Sequence, residues 1–282
     1  QHPQPPQPAQ SDGSAMRFDD TAVAFAHRST RELRRARWMF GLIGAPWLVK
    51  LGARAIDLAL AVRLPISWAL RPVFDYFCGG ESIADSLSTS DKLHAYGVQT
   101  ILDFSAEGQT GEAALDAARD EILSTIKTAK DDPRFAFAVF KVSALSDNDL
   151  LQAKGEGLDF NANQQKAWEK VEGRVSFLCK SAEQQGVRIM MDAEETWLQD
   201  AIDGLAESMM RQHNRGQCVV YTTAQMYRHD RLAYVQALEQ SAREEGWVAG
   251  VKLVRGAYME KERERAGAEN KPSPIQPDKA AT

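Results

Sequence analysis

The sequence is poor in the features that announce the commonest chemistries. Its three cysteines, Cys78, Cys179 and Cys218, lie far apart and form no C-x-x-C pair, which suggests neither a zinc site nor a disulfide framework and fits a reducing, cytoplasmic interior. The five histidines contain no H-E-x-x-H pair, so structural or surface roles are expected for them and no metal site. There is no G-x-x-x-x-G-K-[ST], and Gly155-Glu156-Gly157 lacks both a third glycine and a convincing preceding strand, which argues against P-loop and Rossmann folds. A formal net charge of -5 supplies no basic field for nucleic acid. Pro46, Lys50, Arg54, Asp57, Arg63 and Pro65 break the most apolar region before any run approaches the ~20 residues of a bilayer crossing.

What is present points to a globular protein. With 282 residues, 44% apolar and 26% charged, the chain can bury a substantial core in one large domain or two small ones. Residues 1–17 are rich in Gln, Pro and Ser and cannot offset the entropy of ordering, so no structure is expected there. A helical arm is expected over 18–95, with Ser29-Thr30-Arg31-Glu32 opening a basic stretch. Within it, 38–77 reads either as a membrane-touching surface or as helices packed on their own domain. The mixed charge of Lys50, Arg54 and Asp57 favours the second.

From residue 96 the pattern changes to strands alternating with helices. Strands are expected over 98–105, 135–143, 188–193, 217–223 and 248–254, and helices over 110–129, 160–185, 197–214 and 230–245. Such a succession of βα units predicts an α/β fold with a parallel sheet. Its spacing fits a TIM-type (β/α)8 barrel, of which about five units are in this chain, over 96–282. A doubly wound sheet competes, but the glycine-rich first turn it favours is missing.

Each strand ends in a polar side chain: Asp103, Lys141, Asp192, Gln225 and Lys252. At the carboxyl ends of barrel strands such side chains converge on one pocket. Two lysines and two aspartates among them would neutralise each other around a charged or zwitterionic ligand. Lys252 shares a strand face with Val254, and Gly256, just past the strand, would let backbone approach a ligand closely.

Four of these stretches carry a resemblance. Lys141-Val142-Ser143-Ala144, Met191-Asp192-Ala193-Glu194-Glu195, Tyr221-Thr222-Thr223-Ala224-Gln225-Met226-Tyr227 and Lys252-Leu253-Val254-Arg255-Gly256-Ala257-Tyr258 resemble, in order, the strand-end motifs of the proline dehydrogenase family. The resemblance implies a flavin-binding (β/α)8 barrel that oxidises L-proline to Δ1-pyrroline-5-carboxylate and passes electrons from FAD to a membrane quinone. It implies that Lys141 helps bind the substrate carboxylate with Asp192 as its ionic partner. Gln225 would meet the flavin pyrimidine edge, and Lys252 would stand near flavin N5. Val254, Gly256, Ala257 and Tyr258 would line the ring and substrate, with Ala193 and Thr223 added to the cofactor set. Glu107 matches a family glutamate that pairs with a substrate-binding arginine not found in this sequence. Lysine at 252 stands where many members have arginine, so a point-charge contact is expected in place of a bidentate one. The proton acceptor for the substrate amine is not identified.

The resemblance also implies three further strands and a final helix with Y-x-x-R-R, so a further segment or second chain completing the barrel is expected. Peripheral membrane contact follows from the quinone, at the inner face of the membrane, or on the matrix side in a eukaryote. Two rival readings stay open. One is a Schiff-base lysine lyase or aldolase on the same barrel. The other is a non-enzymatic membrane- or partner-binding module built on the arm.

Overall fold

The computed structural model describes residues 19–62, 67–103 and 109–282, and the chain divides into two compact units, 1–100 and 101–282. The expected unstructured tail over 1–17 lies outside the described residues.

The first unit is helical: α1 (Thr21–Ala24), α2 (Thr30–Ile43), α3 (Pro46–Ala61), α4 (Ser67–Phe77) and α5 (Ile83–His94). A capping box starts α2. The Ser29 hydroxyl accepts from the Glu32 N–H, while the Glu32 carboxylate accepts from the Ser29 N–H at 2.7 Å, satisfying two otherwise orphaned donors. Edge-to-face packing of Phe40 on Tyr76 and Phe77, at 5.6 and 6.0 Å between ring centres, joins α2 to α4. Among the described residues of this unit, the only buried apolar side chains are Ala36 and Met39.

The second unit holds the sheet: β1 (Thr100–Asp103), β2 (Phe135–Phe140), β3 (Ile189–Met191), β4 (Val220–Gln225) and β5 (Val251–Val254), in the order β1-β2-β3-β4-β5. The β2–β3, β3–β4 and β4–β5 pairings are parallel. The crossovers carry α6 (Glu112–Ala129), α7 (Asn148–Gly155), α8 (Ala162–Gln185), α9 (Thr196–His213) and α10 (Arg231–Glu245), and α11 (Met259–Glu269) follows β5. Strands covered on both faces read as continuous apolar runs, as in Phe135-Ala136-Phe137-Ala138-Val139-Phe140. Ile122, Ile126, Phe140, Leu178, Ile189, Met191, Ile202 and Met210 are fully buried at the centre of this layered core.

Several expected boundaries shift. The second strand stops at Phe140, and 142–144 form a turn of 3₁₀ helix instead of continuing to 143. The expected starts at 217 and 248 move to Val220 and Val251, because the buried Asn214 claims the intervening backbone. Its carboxamide oxygen accepts from the Val219 and Val220 N–H groups at 3.0 and 2.8 Å. Its NH2 donates to the Val220 and Val248 carbonyls at 2.8 and 2.9 Å. Helix α7 was not expected. Its Gly155 lies against α9, where a Cβ would sit 3.4 Å from the Ala201 nitrogen, so this glycine serves helix packing.

Candidate active site at the strand carboxyl ends

Register brings the polar strand ends together. Phe140 pairs with Met191, Thr223 with Lys252 and Gln225 with Val254, and the Asp192 N–H donates to the Phe140 carbonyl at 2.9 Å. Lys141 and Asp192 therefore leave the sheet side by side. Lys252 Nζ donates to Asp192 Oδ1 at 2.7 Å. The two side chains are 31% and 27% exposed, so water moderates this ion pair without dissolving it. Lys141 Nζ donates to the Tyr258 hydroxyl at 3.0 Å and lies 5.6 Å from the centre of its ring.

Behind these charges runs a continuous chain of hydrogen bonds. The Ser143 N–H donates to Glu194 Oε1 at 3.0 Å, Gln225 Nε2 donates to the Glu194 carbonyl at 2.8 Å, and the Ala257 N–H donates to Gln225 Oε1 at 3.0 Å. It links the carboxyl ends of β2, β3, β4 and β5 in turn. Glu194 also donates its N–H to Gln199 Oε1, and Gln199 continues to Asp203, which pairs with Arg231. Burial raises the Glu194 carboxyl to about 7, although its bond to Ser143 and the charge of Lys141 pull the other way.

Helix α11 is fastened over α9 by its own charges. The buried Glu262 accepts from the Thr196 N–H at 2.7 Å and from the Thr196 hydroxyl, and Lys261 pairs with Glu195 at 2.7 Å. Glu262 therefore caps the first turn of α9, whose N-cap Glu195 makes no side-chain cap of its own. Docking α11 in this way holds Tyr258, its N-cap residue, against Lys141.

The expected residues sort accordingly. Lys141, Asp192, Gln225, Lys252, Ala257 and Tyr258 are joined by the contacts above, and Ala193 is buried beside Asp192. Val254 is half-buried at the end of β5. Asp192 takes Lys252 as an ion-pair partner, and Lys141 donates to the Tyr258 hydroxyl. Gln225 uses both ends of its amide on protein groups. Gly256 has φ +125°, and a Cβ there would lie 1.8 Å from the Tyr227 ring, so its bareness admits that ring, with no ligand needed to explain it. Asp103 closes β1 and is exposed. Glu107 lies outside the described residues. Glu194, Gln199 and Glu262 were missed as site residues. Three carboxylates within Asp192-Ala193-Glu194-Glu195 were the available signal for Glu194.

One further feature concerns a bound group. Thr223 Oγ1 is buried and has no hydrogen-bond partner, on the same strand face as Gln225 and beside Lys252. A buried hydroxyl left unpaired is costly. A polar ligand edge in the rim would satisfy it.

A sheet whose β2 to β5 pairings are parallel, with helical crossovers and charged side chains gathered at its carboxyl ends, defines an α/β protein. A sequence model of the family described as "Proline dehydrogenase" matches residues 86–282, and the chain belongs to that family. Relatives include the carbapenem antibiotics biosynthesis protein CarD of Pectobacterium carotovorum subsp. carotovorum, 35% identical over 67% of this chain and 50% of its own length. Human mitochondrial proline dehydrogenase 1 is 42% identical over 39% of this chain and 18% of its own. Hydroxyproline dehydrogenase of Xenopus laevis is 26% identical over 97% and 66%. The chain thus spans half the length of the Pectobacterium relative, and less of the human one. Among solved structures, proline utilization A of Bdellovibrio bacteriovorus, inactivated by N-propargylglycine, superposes with a TM-score of 0.62 at 18% identity. That match covers 73% of this chain and 22% of the other, and it establishes the barrel fold.

Proposed function

We propose that this chain forms the cofactor- and substrate-facing part of a proline dehydrogenase that oxidises L-proline to Δ1-pyrroline-5-carboxylate with FAD. The observation that carries the reading is the pairing of cations with acceptors at the strand ends, Lys252 with Asp192 and Lys141 with Tyr258. Bound FAD supplies the two-electron acceptor for hydride from the substrate carbon, and a membrane quinone takes the electrons onward.

The chain's own residues bind and orient. Lys141, steadied by the Tyr258 hydroxyl, offers an ammonium to the substrate carboxylate. Lys252 presents positive charge toward the cofactor from a position fixed by Asp192, and a point charge suits an electron-accepting ring without a bidentate fit. Thr223 contributes its unpaired buried hydroxyl to the cofactor edge. Gln225, with each amide atom already in one bond to protein, keeps one N–H and one lone pair for the same purpose. Val254, Gly256, Ala257, Tyr258 and Ala193 supply the lining. Since the quinone resides in a bilayer, the protein makes peripheral membrane contact, on the matrix side in a eukaryote and on the cytoplasmic side in a bacterium.

A lysine nucleophile is the weaker reading, because Lys252 sits in a partly exposed ion pair and not in the apolar pocket that frees an amine. The visible spectrum of the protein decides: a flavin band that proline bleaches is expected. A preparation without flavin, or with a band that proline leaves unchanged, refutes the proposal, and borohydride trapping of a keto substrate on Lys252 would install its rival.

A further inference from the structure

The helical arm exposes apolar side chains that its own small core leaves uncovered. On α3 and one residue past its end, Trp47, Leu51, Leu58 and Val62 are 66%, 59%, 67% and 58% exposed. Their spacing puts them within one 60° sector of the helix, while Lys50, Arg54 and Asp57 lie to one side of it. On α2, Trp38 is 69% exposed. Arg31, Arg34 and Arg35 stand one turn or two before it on the same outward face, with Arg37 close by, and all four are exposed.

Charge decides what such a face fits. The mixed charge of Lys50, Arg54 and Asp57 taken alone favours packing on the domain, but from 28 to 62 there are seven Arg and Lys against Glu32 and Asp57, a local net of +5 within a chain whose total is -5. A self-association face would bring these arginines against their own copies. An anionic lipid surface instead meets the cations with phosphate and the tryptophans and leucines with the acyl boundary. Neither helix is long enough to cross a bilayer alone. Taken together they reach that length and composition, but only with a 90° bend between them, which suits helices lying in the interface.

We propose that the outward faces of α2 and α3 form a docking surface for an anionic lipid bilayer, with the Trp47–Leu51–Leu58–Val62 stripe seated at the headgroup boundary and the α2 arginines among the headgroups. The inference rests on the membrane contact proposed above and locates its surface, and a vesicle assay tests it without turnover or flavin, so its failure leaves the flavin reading standing.

Flotation of the intact chain with vesicles of phosphatidylcholine, and of phosphatidylcholine mixed with phosphatidylglycerol, provides the test. Binding at least tenfold stronger to the mixed vesicles, and weakened by salt, is expected. Replacing three headgroup cations together, Arg34→Gln, Arg35→Gln and Arg37→Gln, should weaken it on the order of a hundredfold. The lysine counterparts Arg34→Lys, Arg35→Lys and Arg37→Lys should retain it, which separates lost charge from lost folding. Leu51→Glu with Leu58→Glu should abolish it. Equal binding to both vesicle types, no binding to either, or a wild-type dimer that the Leu51/Leu58 variant converts to monomer would each overturn the proposal.

Discussion

Replacing Glu194 by glutamine tests the electrostatics of the rim directly. The carboxyl is buried and sits at about 7 instead of 4.5. A group raised in this way binds its proton more tightly in the folded state. Its contribution to stability is therefore complete below pH 4.5 and is lost as pH rises through about 7. The interval between the two values corresponds to about 3 kcal/mol. Glutamine keeps an oxygen for the Ser143 N–H and cannot ionise, so the variant should escape that loss. Urea unfolding at pH 5, 6, 7 and 8 compares the two proteins, and taking the difference removes every other titrating group. We expect the variant to gain on the wild type by roughly 1 M in midpoint between the ends of this range. Parallel pH profiles would refute the reasoning, and would mean that water or a cation solvates Glu194 in the folded protein.

Three other outcomes follow from the same geometry. Asn214→Ala strips partners from two N–H groups and two carbonyls at the start of β4 and before β5, and should cost about 3 kcal/mol or more in chemical unfolding. Gly256→Ala places a methyl group inside the Tyr227 ring at a positive φ, and should lower thermal stability by more than about 2 kcal/mol, read by calorimetry. Asp192→Asn leaves Lys252 without its carboxylate; since the pair is partly exposed, stability should change by no more than about 1 kcal/mol. Flavin affinity in the same variant should fall at least tenfold, measured by fluorescence titration.

Much of the architecture was legible in the residues because apolar runs and charged helices alternate. The parallel sheet and the polar strand ends could be read in order from Lys141, Asp192, Gln225 and Lys252. Partner choice could not. Lys252 reaches Asp192 across β4 because the register lays Thr223 between them, and register is a property of paired strands, which no single run displays. Glu194 was hidden for a related reason: its neighbour Asp192 has the same chemistry, and only the turn after β3 decides which carboxylate faces the rim and which is sealed behind it. The strand starts misjudged at 217 and 248 show a side chain outcompeting a ladder. Asn214 reads as an ordinary helix-ending residue, and its four bonds are visible only once β4 and the segment before β5 lie on either side of it. Gly155 was weighed as a nucleotide-loop residue and turned out to be the contact point of two helices, because a bare Cα looks the same in either role.

The chain of bonds from Ser143 through Glu194 and Gln225 to Ala257 makes the mouth of the sheet a shared mechanical unit. Its two end amides are far apart in the polypeptide, yet the Glu194 that holds Ser143 is itself bonded, through its carbonyl, to the Gln225 that holds Ala257. Protection against deuterium exchange at Ser143 and Ala257 should therefore rise and fall in step, so that prising open either end slackens the other.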